Sequence, residues 1–600
     1  MNKQADSMDA KRHEETRPQT TSQEKRGLIS FLSTFPYCLQ PAAVLVVYIL
    51  CAAGLLIPIN FNFSTMLVAH QIADASQAMW FYAWWPFALS HGLNPLFTSQ
   101  VWAPTGQSLA WTQSAPVLAL LLAPVTLTLG PIISYNLLAV AAPVLNSFSA
   151  LMTCRQIGAK LPAAALGGWL FGFSPYVMAE LMGRPNLYCV WMIPLMTLLV
   201  IRYMKNTISP RRFTGWFSAA GIVLFLTSTE LFATTVLTGI IAAIAAIICW
   251  RDSETRKRLY RLFACTLTSM VVIGVMLSPI LYVMFTELGR QPELIHPARD
   301  FSADAANLLI PTRTLWAGGD TMAFVSRRFS GFLPEQSAYI GLPLLVLVGL
   351  YGWEFRKKPA ACFLLLLLLG MVLLSLGPYL TVAGWNLPIA LPWSLLGHIP
   401  VLQKALPARL SLYVSLVTAL IAAWWLTKSR RRPAFRAALG LLVAATMFPN
   451  IAAGLWAVRP PNPSFFTGPA VRASLMPGEN IVALPYGING DSMIWQAETG
   501  FYFRLAGGYL ALTGPYAQQT IPQAFYAATA PAHYHAELAA FARRFHVGAI
   551  VVPDVDKPQY AAVLKNVSHH PLHTAGVWVY PISSLRRSRK ASVARNGVQK

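Results

Sequence analysis

The chain has 600 residues, 55% hydrophobic and only 12% charged, with a formal net charge of +23 and a mean hydropathy of +0.49. An average soluble domain carries roughly 25% charged residues, so the composition excludes an ordinary soluble fold and places the chain in the membrane class. The positive charge does not indicate nucleic-acid binding, because lysines and arginines fall in short clusters between apolar runs, where membrane topology accounts for them.

Residues 1–38 form a polar tail, and residues 1–27 mix charges without an apolar core. No cleaved signal peptide is expected, and the first apolar run reads as a retained signal anchor. A membrane-spanning helix needs about 20 apolar residues. Spans are predicted near 39–59, 131–153, 161–180, 187–201, 214–229, 231–250, 263–285, 337–353, 360–380, 406–427 and 436–457, about eleven in all. The run 115–129 is short and carries two prolines, so it reads as a re-entrant or interfacial helix. With the N-terminus in the cytoplasm, the five inner loops hold 19 lysines and arginines, whereas the four short outer loops hold 2. That asymmetry favours an N-in, C-out arrangement in a cell (inner) membrane. It puts three segments on the periplasmic or extracellular face: loop 60–114, loop 286–336 and everything after about 458.

The region 458–583 alternates strand-like runs (NIVALPYG, VGAIVVPD, GVWVYP) with a helix-like AHYHAELAAFARRFH. It reads as a small extracytoplasmic α/β domain, followed by a basic tail, 584–600. The fold class expected is therefore mainly α, a polytopic helix bundle (39–457) with this added domain. Seven cysteines, Cys38, Cys51, Cys154, Cys189, Cys249, Cys265 and Cys362, all lie in or beside apolar segments, and no CxxC occurs. A disulfide framework or zinc site is not expected.

The first outer loop holds one carboxylate, Asp74, and no lysine or arginine, among Trp80, Trp84, Trp85 and Pro86. A dry aromatic setting disfavours a charged carboxylate and suits it to act as a general base. Asp is equally a favoured helix N-cap, and the two roles are compatible. The tryptophans read as an interfacial belt or as a binding box. Further charges gather at outer helix ends: Glu180 and Arg184 in AELMGRPN, Glu230 in TSTE, Glu335 in LPEQSAYIG, Lys404 and Arg409 in LQKALPARLS. Ionisable groups at membrane depth are costly and are functional candidates, although snorkelling or structural ion pairing also accounts for any one of them. All are expected to converge with Asp74 on one outward-facing pocket, where Arg and Lys can hold a phosphate.

In order and content these segments resemble the GT-C class of polytopic glycosyltransferases, which use polyprenyl-phosphate sugars. The resemblance is carried by a span followed by an outer loop with an acid, then by HGLNPLFTSQVWAPTGQSLAW, APVTLTLGPIISYNLLAVAAPVLNSFSA, GWLFGFSPYVMAELMGRPNL, FSADAANLLIPT, PEQSAYIGLPLL and LPARLSLYVSL. It covers roughly residues 40–430. It implies that Asp74 is the catalytic acid of the first outer loop. It also implies that Glu180, Arg184, Asn186, Glu230, Glu335, Tyr339, Lys404 and Arg409 serve the substrate. The class often pairs its acid as DxD or DE, but here the context is IADASQ; Arg184 stands where a GHPN-like turn has His.

The activity implied is inverting hexosyl or pentosyl transfer. The donor is a polyprenyl-phosphate-linked sugar, and the acceptor is an extracytoplasmic glycan, lipid or protein. The base removes the acceptor hydroxyl proton as lipid phosphate leaves. Arg or Lys can stabilise that leaving group, so a divalent metal, Mg or Mn, is optional. On this view the first outer loop is uncharged because it packs on the membrane surface over a buried site. Trp495, Gln496, Tyr502 and Tyr509 of the C-terminal region suit either sugar contact or ordinary packing, and that region is expected to select the acceptor without doing chemistry. Two other classes stay open: a non-catalytic membrane assembly protein, which the missing second acid allows, and a lipid or solute transporter, for which no inverted repeat is visible.

Overall fold

The computed structural model describes residues 39–55, 61–70, 72–287, 297–397, 399, 405–510 and 514–582. Two units make up the chain, residues 1–47 and 48–600, and the site lies wholly in the second.

Each of the predicted apolar runs holds a helix. Among the described residues, five helices are long and apolar enough to cross a membrane: Pro131–Gln156, Pro185–Met204, Thr229–Cys249, Ser253–Met276 and Pro407–Lys428. Local chemistry sets many of the starts. Proline, whose missing N–H costs nothing at a first helical position, opens Pro131–Gln156, Pro210–Thr227, Pro359–Ser375 and Pro433–Thr446. Serine caps precede others: Ser228 Oγ accepts from Leu231 N at 3.3 Å, and Ser174 Oγ from Val177 N at 3.3 Å. At Ser174–Pro175 the run 161–180 breaks into Leu161–Gly172 and Pro175–Glu180. That break places Glu180 at the end of a separate short helix. Leu161–Gly172 lies flush against Pro131–Gln156, since a Cβ on Gly172 would meet Ser147 Oγ at 2.0 Å. The run 115–129 becomes Pro116–Leu129, 14 residues or about 21 Å at 1.5 Å per residue, short of a hydrocarbon core of about 30 Å.

After residue 458 the strand-like runs form one five-stranded sheet. Its order is Arg504–Leu505, Asn480–Ala483, Val547–Pro553, Val577–Pro581, Leu572–Thr574. The first three run parallel and the last two antiparallel. Its central strand Val547–Pro553 is buried throughout, as a strand covered on both faces must be. Beyond the parallel strands, burial and then the charge of Asp556 push the Asp491 carboxyl up to about 7. The folded state therefore holds this proton more tightly than an unfolded chain with the ordinary value of 3.8. The resulting penalty is absent well below the ordinary value of 3.8 and grows as pH rises towards 7. Asp491→Asn is accordingly expected to stabilise the fold at pH 8 by on the order of a few kcal/mol, seen as a raised Tm, and to leave Tm nearly unchanged at pH 3; a pH series of melting curves checks both.

Loop 60–114 packs into the protein itself. It contains a 19-residue helix, Ile72–Ser90, most of which is buried. Its partner is the C-terminal region. Trp80 Nε1 donates to Gln496 Oε1 at 2.7 Å, and Gln77 Nε2 donates to the Leu510 carbonyl at 2.9 Å. Trp80 and Trp84 stack on each other with Phe501 edge-on to both. Residues 100–103 extend the sheet by one edge: Leu505 N donates to Gln100 O, and Ala103 N to Leu505 O, both at 2.9 Å. The loop is rich in tryptophan and free of lysine and arginine where it forms the inner wall of an interface within the chain.

Candidate active site

Six of the charged residues singled out above meet in one network, brought there by five separate stretches of chain. Asp74 sits in the first turn of Ile72–Ser90, where a carboxylate favours the helix N-terminus; the helix begins at Ile72, so Asp74 is inside it and not its cap. Arg184 follows the Glu180 helix by four residues. Its Nε donates to Asp74 Oδ2 at 3.2 Å, and its Nη1 to Glu180 Oε2 at 3.4 Å and to Glu335 Oε1. Glu335 ends the turn Leu333–Glu335. Arg409 lies in the turn Pro407–Leu410, just before Ser411–Lys428. Its Nη1 donates to Glu230 Oε2, its Nη2 to Glu335 Oε1 at 3.5 Å, and its Nε lies 3.9 Å from Glu180 Oε1. Glu335 thus bridges the two guanidiniums, and Glu230, in the first turn of Thr229–Cys249, closes the far end.

The interior of the network is dry. The side chains of Glu180 and Glu335 are 0% and 1% exposed, those of both arginines 11%; only Asp74 at 25% and Glu230 at 21% reach outward. Four carboxylates face two guanidiniums, so with all six ionised the described groups sum to −2. Glu180 Oε1 and Glu335 Oε2 are buried without a hydrogen-bond partner. An anionic phosphate approaching this network meets arginines already held by carboxylates.

The remaining residues fall differently. Lys404 lies outside the described residues. Asn186 is buried in the short helix Pro185–Tyr188, next to Arg184. Tyr339 does not join the network: it lines a separate small cavity with Ser411, Thr418 and Met447, because the chain turns away at Gly341 to begin the helix Leu342–Phe355.

A cavity of about 110 Å³ opens beside Asp74, lined among others by His70, Glu180, Arg184, Phe332 and Pro334. At about 30 Å³ per water it holds three or four waters, well below the roughly 300–1,000 Å³ of ordinary ligand sites. His70 on this cavity is pulled below its ordinary pKa by burial and then by Arg313, so it is a neutral imidazole at pH 7.

Sequence reasoning missed the role of Tyr509. Its hydroxyl donates to Asp74 Oδ1 at 3.1 Å across 435 residues. Burial and then the Asp74 charge raise its pKa above the ordinary range, so the donor stays protonated. No local pattern marks such a contact. The acid is therefore held between Arg184 and Tyr509, not among the tryptophans. The other aromatic candidates are used up in packing. Trp495 stacks on Phe466 at 4.5 Å and donates to the Pro461 carbonyl. Gln496 is fully buried, bridging Trp80, Gln100 and Phe503. Tyr502 donates to the Leu475 carbonyl. Trp495 and Gln496 are buried in packing, whereas Tyr502 is half-buried. The C-terminal region covers Trp80 and reaches Asp74, so it contributes directly to the surroundings of this site.

A metal would need converging donors. Among the described residues no group of three or more His, Cys, Asp or Glu is arranged to hold one, and the acids here already face arginines. The described residues of this site do not fit a metal ion.

The fold is that of the GT-C class. The arabinofuranosyltransferase AftD from Mycobacteria superposes with a TM-score of 0.55 at 14% identity, over 91% of this chain and 41% of AftD. This chain therefore spans less than half the length of that protein. Lower similarity is found to the archaeal oligosaccharyltransferase AglB from Archaeoglobus fulgidus (TM-score 0.48, 12% identity, 87% of this chain and 70% of that one). ArnT from Cupriavidus metallidurans gives a TM-score of 0.46 at 12% identity, over 91% and 98%. No curated protein matches the sequence. Residues 42–448 match the family described as a domain of unknown function (DUF6311), and the chain belongs to that family.

Proposed function

We propose that the protein is a membrane glycosyltransferase that moves a hexosyl or pentosyl group from a polyprenyl-phosphate donor to an extracytoplasmic glycan, lipid or protein. The observation that carries the reading is the position of Asp74. It is the one carboxylate of the network that belongs to the first outer loop, it opens onto the cavity, and it is held by two donors from distant parts of the chain. The GT-C fold, shared with an arabinofuranosyltransferase, supports the reading at the level of fold.

In this reading the Asp74 carboxylate takes the proton of the acceptor hydroxyl. The oxygen attacks the anomeric carbon with inversion, and the C–O bond to the lipid phosphate breaks. Arg184 and Arg409 are the cations near the leaving group. Each must exchange a carboxylate for phosphate oxygens, so donor binding and opening of the Phe332–Pro334 wall occur together. Arg184 is the nearer of the two, since it lines the cavity. Transfer of radiolabelled sugar from polyprenyl phosphate by the purified protein tests the proposal, with Asp74→Asn as control.

One observation favours a second reading, a non-catalytic assembly protein: both arginines are already held by carboxylates. A closed network of this kind also serves purely to lock helices together. Absence of transfer with every donor and acceptor tried, in a protein that is folded and still binds partners, selects that reading.

The same proposal fixes sidedness: residue 1 cytoplasmic, loop 60–114 and residues 458–600 outside, in a cell (inner) membrane. Reporter fusions after residues 110, 207 and 480 are expected to read outside, inside and outside. A cytoplasmic signal at 480 would put the Asp74 cavity on the wrong face for a polyprenyl-phosphate donor used outside the cytoplasm.

A further inference from the structure

Between the helix Pro359–Ser375 and the turn that carries Arg409, the chain forms a β-hairpin, Tyr379–Val382 paired with Trp385–Ala390. Residues 376–397 contain no charged side chain. In a sheet resting on a protein core, alternate residues turn inward. Here all six residues of Trp385–Ala390 are exposed. Trp385 is 70% exposed and Ile389 51%, and just beyond the hairpin Leu395 is 79% exposed.

The hairpin is nevertheless built firmly. Ala383 and Gly384 both have positive φ, 50° and 84°, the pattern of a two-residue turn that matches the twist of the strands. The buried carboxylate of Asp304 accepts from the backbone N–H of both, each at 2.8 Å. Thr381 Oγ1 donates across the strands to Asn386 Oδ1 at 2.8 Å. A rigid, uncharged element with aromatic and aliphatic side chains turned outward needs an apolar neighbour.

We propose that this hairpin is an interfacial anchor that rests in the headgroup and upper acyl zone of the outer leaflet. Three observations choose a lipid surface as the occupant. The hairpin leaves an apolar helix three residues before it begins, so it starts at membrane level. Its exposed side chains are of the same apolar kind as those on the Ser253–Met276 helix, where Val271, Val275 and Met276 are also exposed. Beside it stand exposed cations suited to lipid phosphates: Arg299 lies over the Tyr379 ring at 5.9 Å, and the Arg328 backbone packs against the Gly384 turn with Arg327 adjacent. Depth follows from the backbone. A two-stranded hairpin has unpaired N–H and C=O groups on both edges, which hydrocarbon cannot satisfy. It therefore stops where water and headgroups still reach, with Trp385 and Tyr379 at the level that aromatic residues favour.

The inference rests on the membrane reading and not on the transferase reading, so an inactive protein leaves it standing. The test uses the full chain in vesicles of phosphatidylcholine and phosphatidylglycerol containing a phosphatidylcholine with an acyl-chain diazirine. After irradiation, adducts are mapped by mass spectrometry. Adducts on 379–397 are expected at a yield comparable to that of the exposed face of Ser253–Met276. The double variant Leu387→Asp, Ile389→Asp should lower hairpin labelling severalfold while labelling of that helix, the internal control for folding and reconstitution, stays constant. Labelling of the helix without labelling of the hairpin overturns the proposal. Hydroxyl-radical footprinting of Trp385 in the same vesicles then tells which alternative replaces it: strong oxidation means open solvent, protection means a protein partner or a second copy.

Discussion

Asp74→Asn is expected to lower sugar transfer by about 10²–10⁴-fold, the usual contribution of a general base, while expression and melting temperature change little. Asn keeps the size of Asp and can still accept the Tyr509 hydroxyl. It loses the ion pair to Arg184, which reaches the most open carboxylate of the network. Arg184 meanwhile keeps Glu180 and Glu335. A purely structural Asp74 therefore predicts near-normal turnover in the variant, and a catalytic one predicts a large loss. A chelator is expected to leave the wild-type rate unchanged, because no set of three ligating side chains converges among the described residues. Turnover like wild type in Asp74→Asn would remove this acid from the mechanism and shift weight to the non-catalytic reading.

Arg409→Ala is expected to destabilise the fold by about 3–5 kcal/mol, the cost of breaking a buried ion-pair network by removing one of its partners. Glu230 loses its ion pair, and Glu335 and Glu180 are left to share Arg184 alone. The latter two are essentially inaccessible to water. Arg409→Lys should fall between, since an ammonium can serve Glu230 or Glu335 but does not span both as the planar fork does. A partial rescue follows from removing charge on the other side: Arg409→Met combined with Glu230→Gln should melt above Arg409→Ala. Thermal unfolding in detergent measures all three. If Arg409 also holds the donor phosphate, the Lys variant shows a raised donor KM at temperatures where it is fully folded. A KM unchanged there would leave Arg409 a structural role only. An Arg409→Ala variant that melts with wild type would mean that the network does not lock these helices.

Much of this was legible in the chain itself. A long apolar run must satisfy its own backbone hydrogen bonds, so the runs between 39 and 457 become helices wherever they pack, and prolines and serines mark their starts. The class resemblance followed from the order of those runs and the acid after the first. The charged residues announced themselves one by one, since Asp74, Glu180, Arg184, Glu230, Glu335 and Arg409 each stand where a charge is costly. That cost is a property of the local surroundings, so a single chain can display it.

What the sequence determined by itself is therefore the membrane class, the helical runs and the list of costly charges, all consequences of short-range hydrophobicity. Tertiary structure alone decided which charge meets which. Arg184 reaches from Asp74 to Glu335, and Tyr509 reaches Asp74 over 435 residues, distances at which sequence spacing carries no geometry. It also decided what the first outer loop is for. Trp80 and Trp84 could equally have faced lipid, sugar or protein, because a tryptophan is apolar over its rings and polar at one nitrogen. Only the position of Gln496 and Phe501 shows that both requirements are met inside the chain.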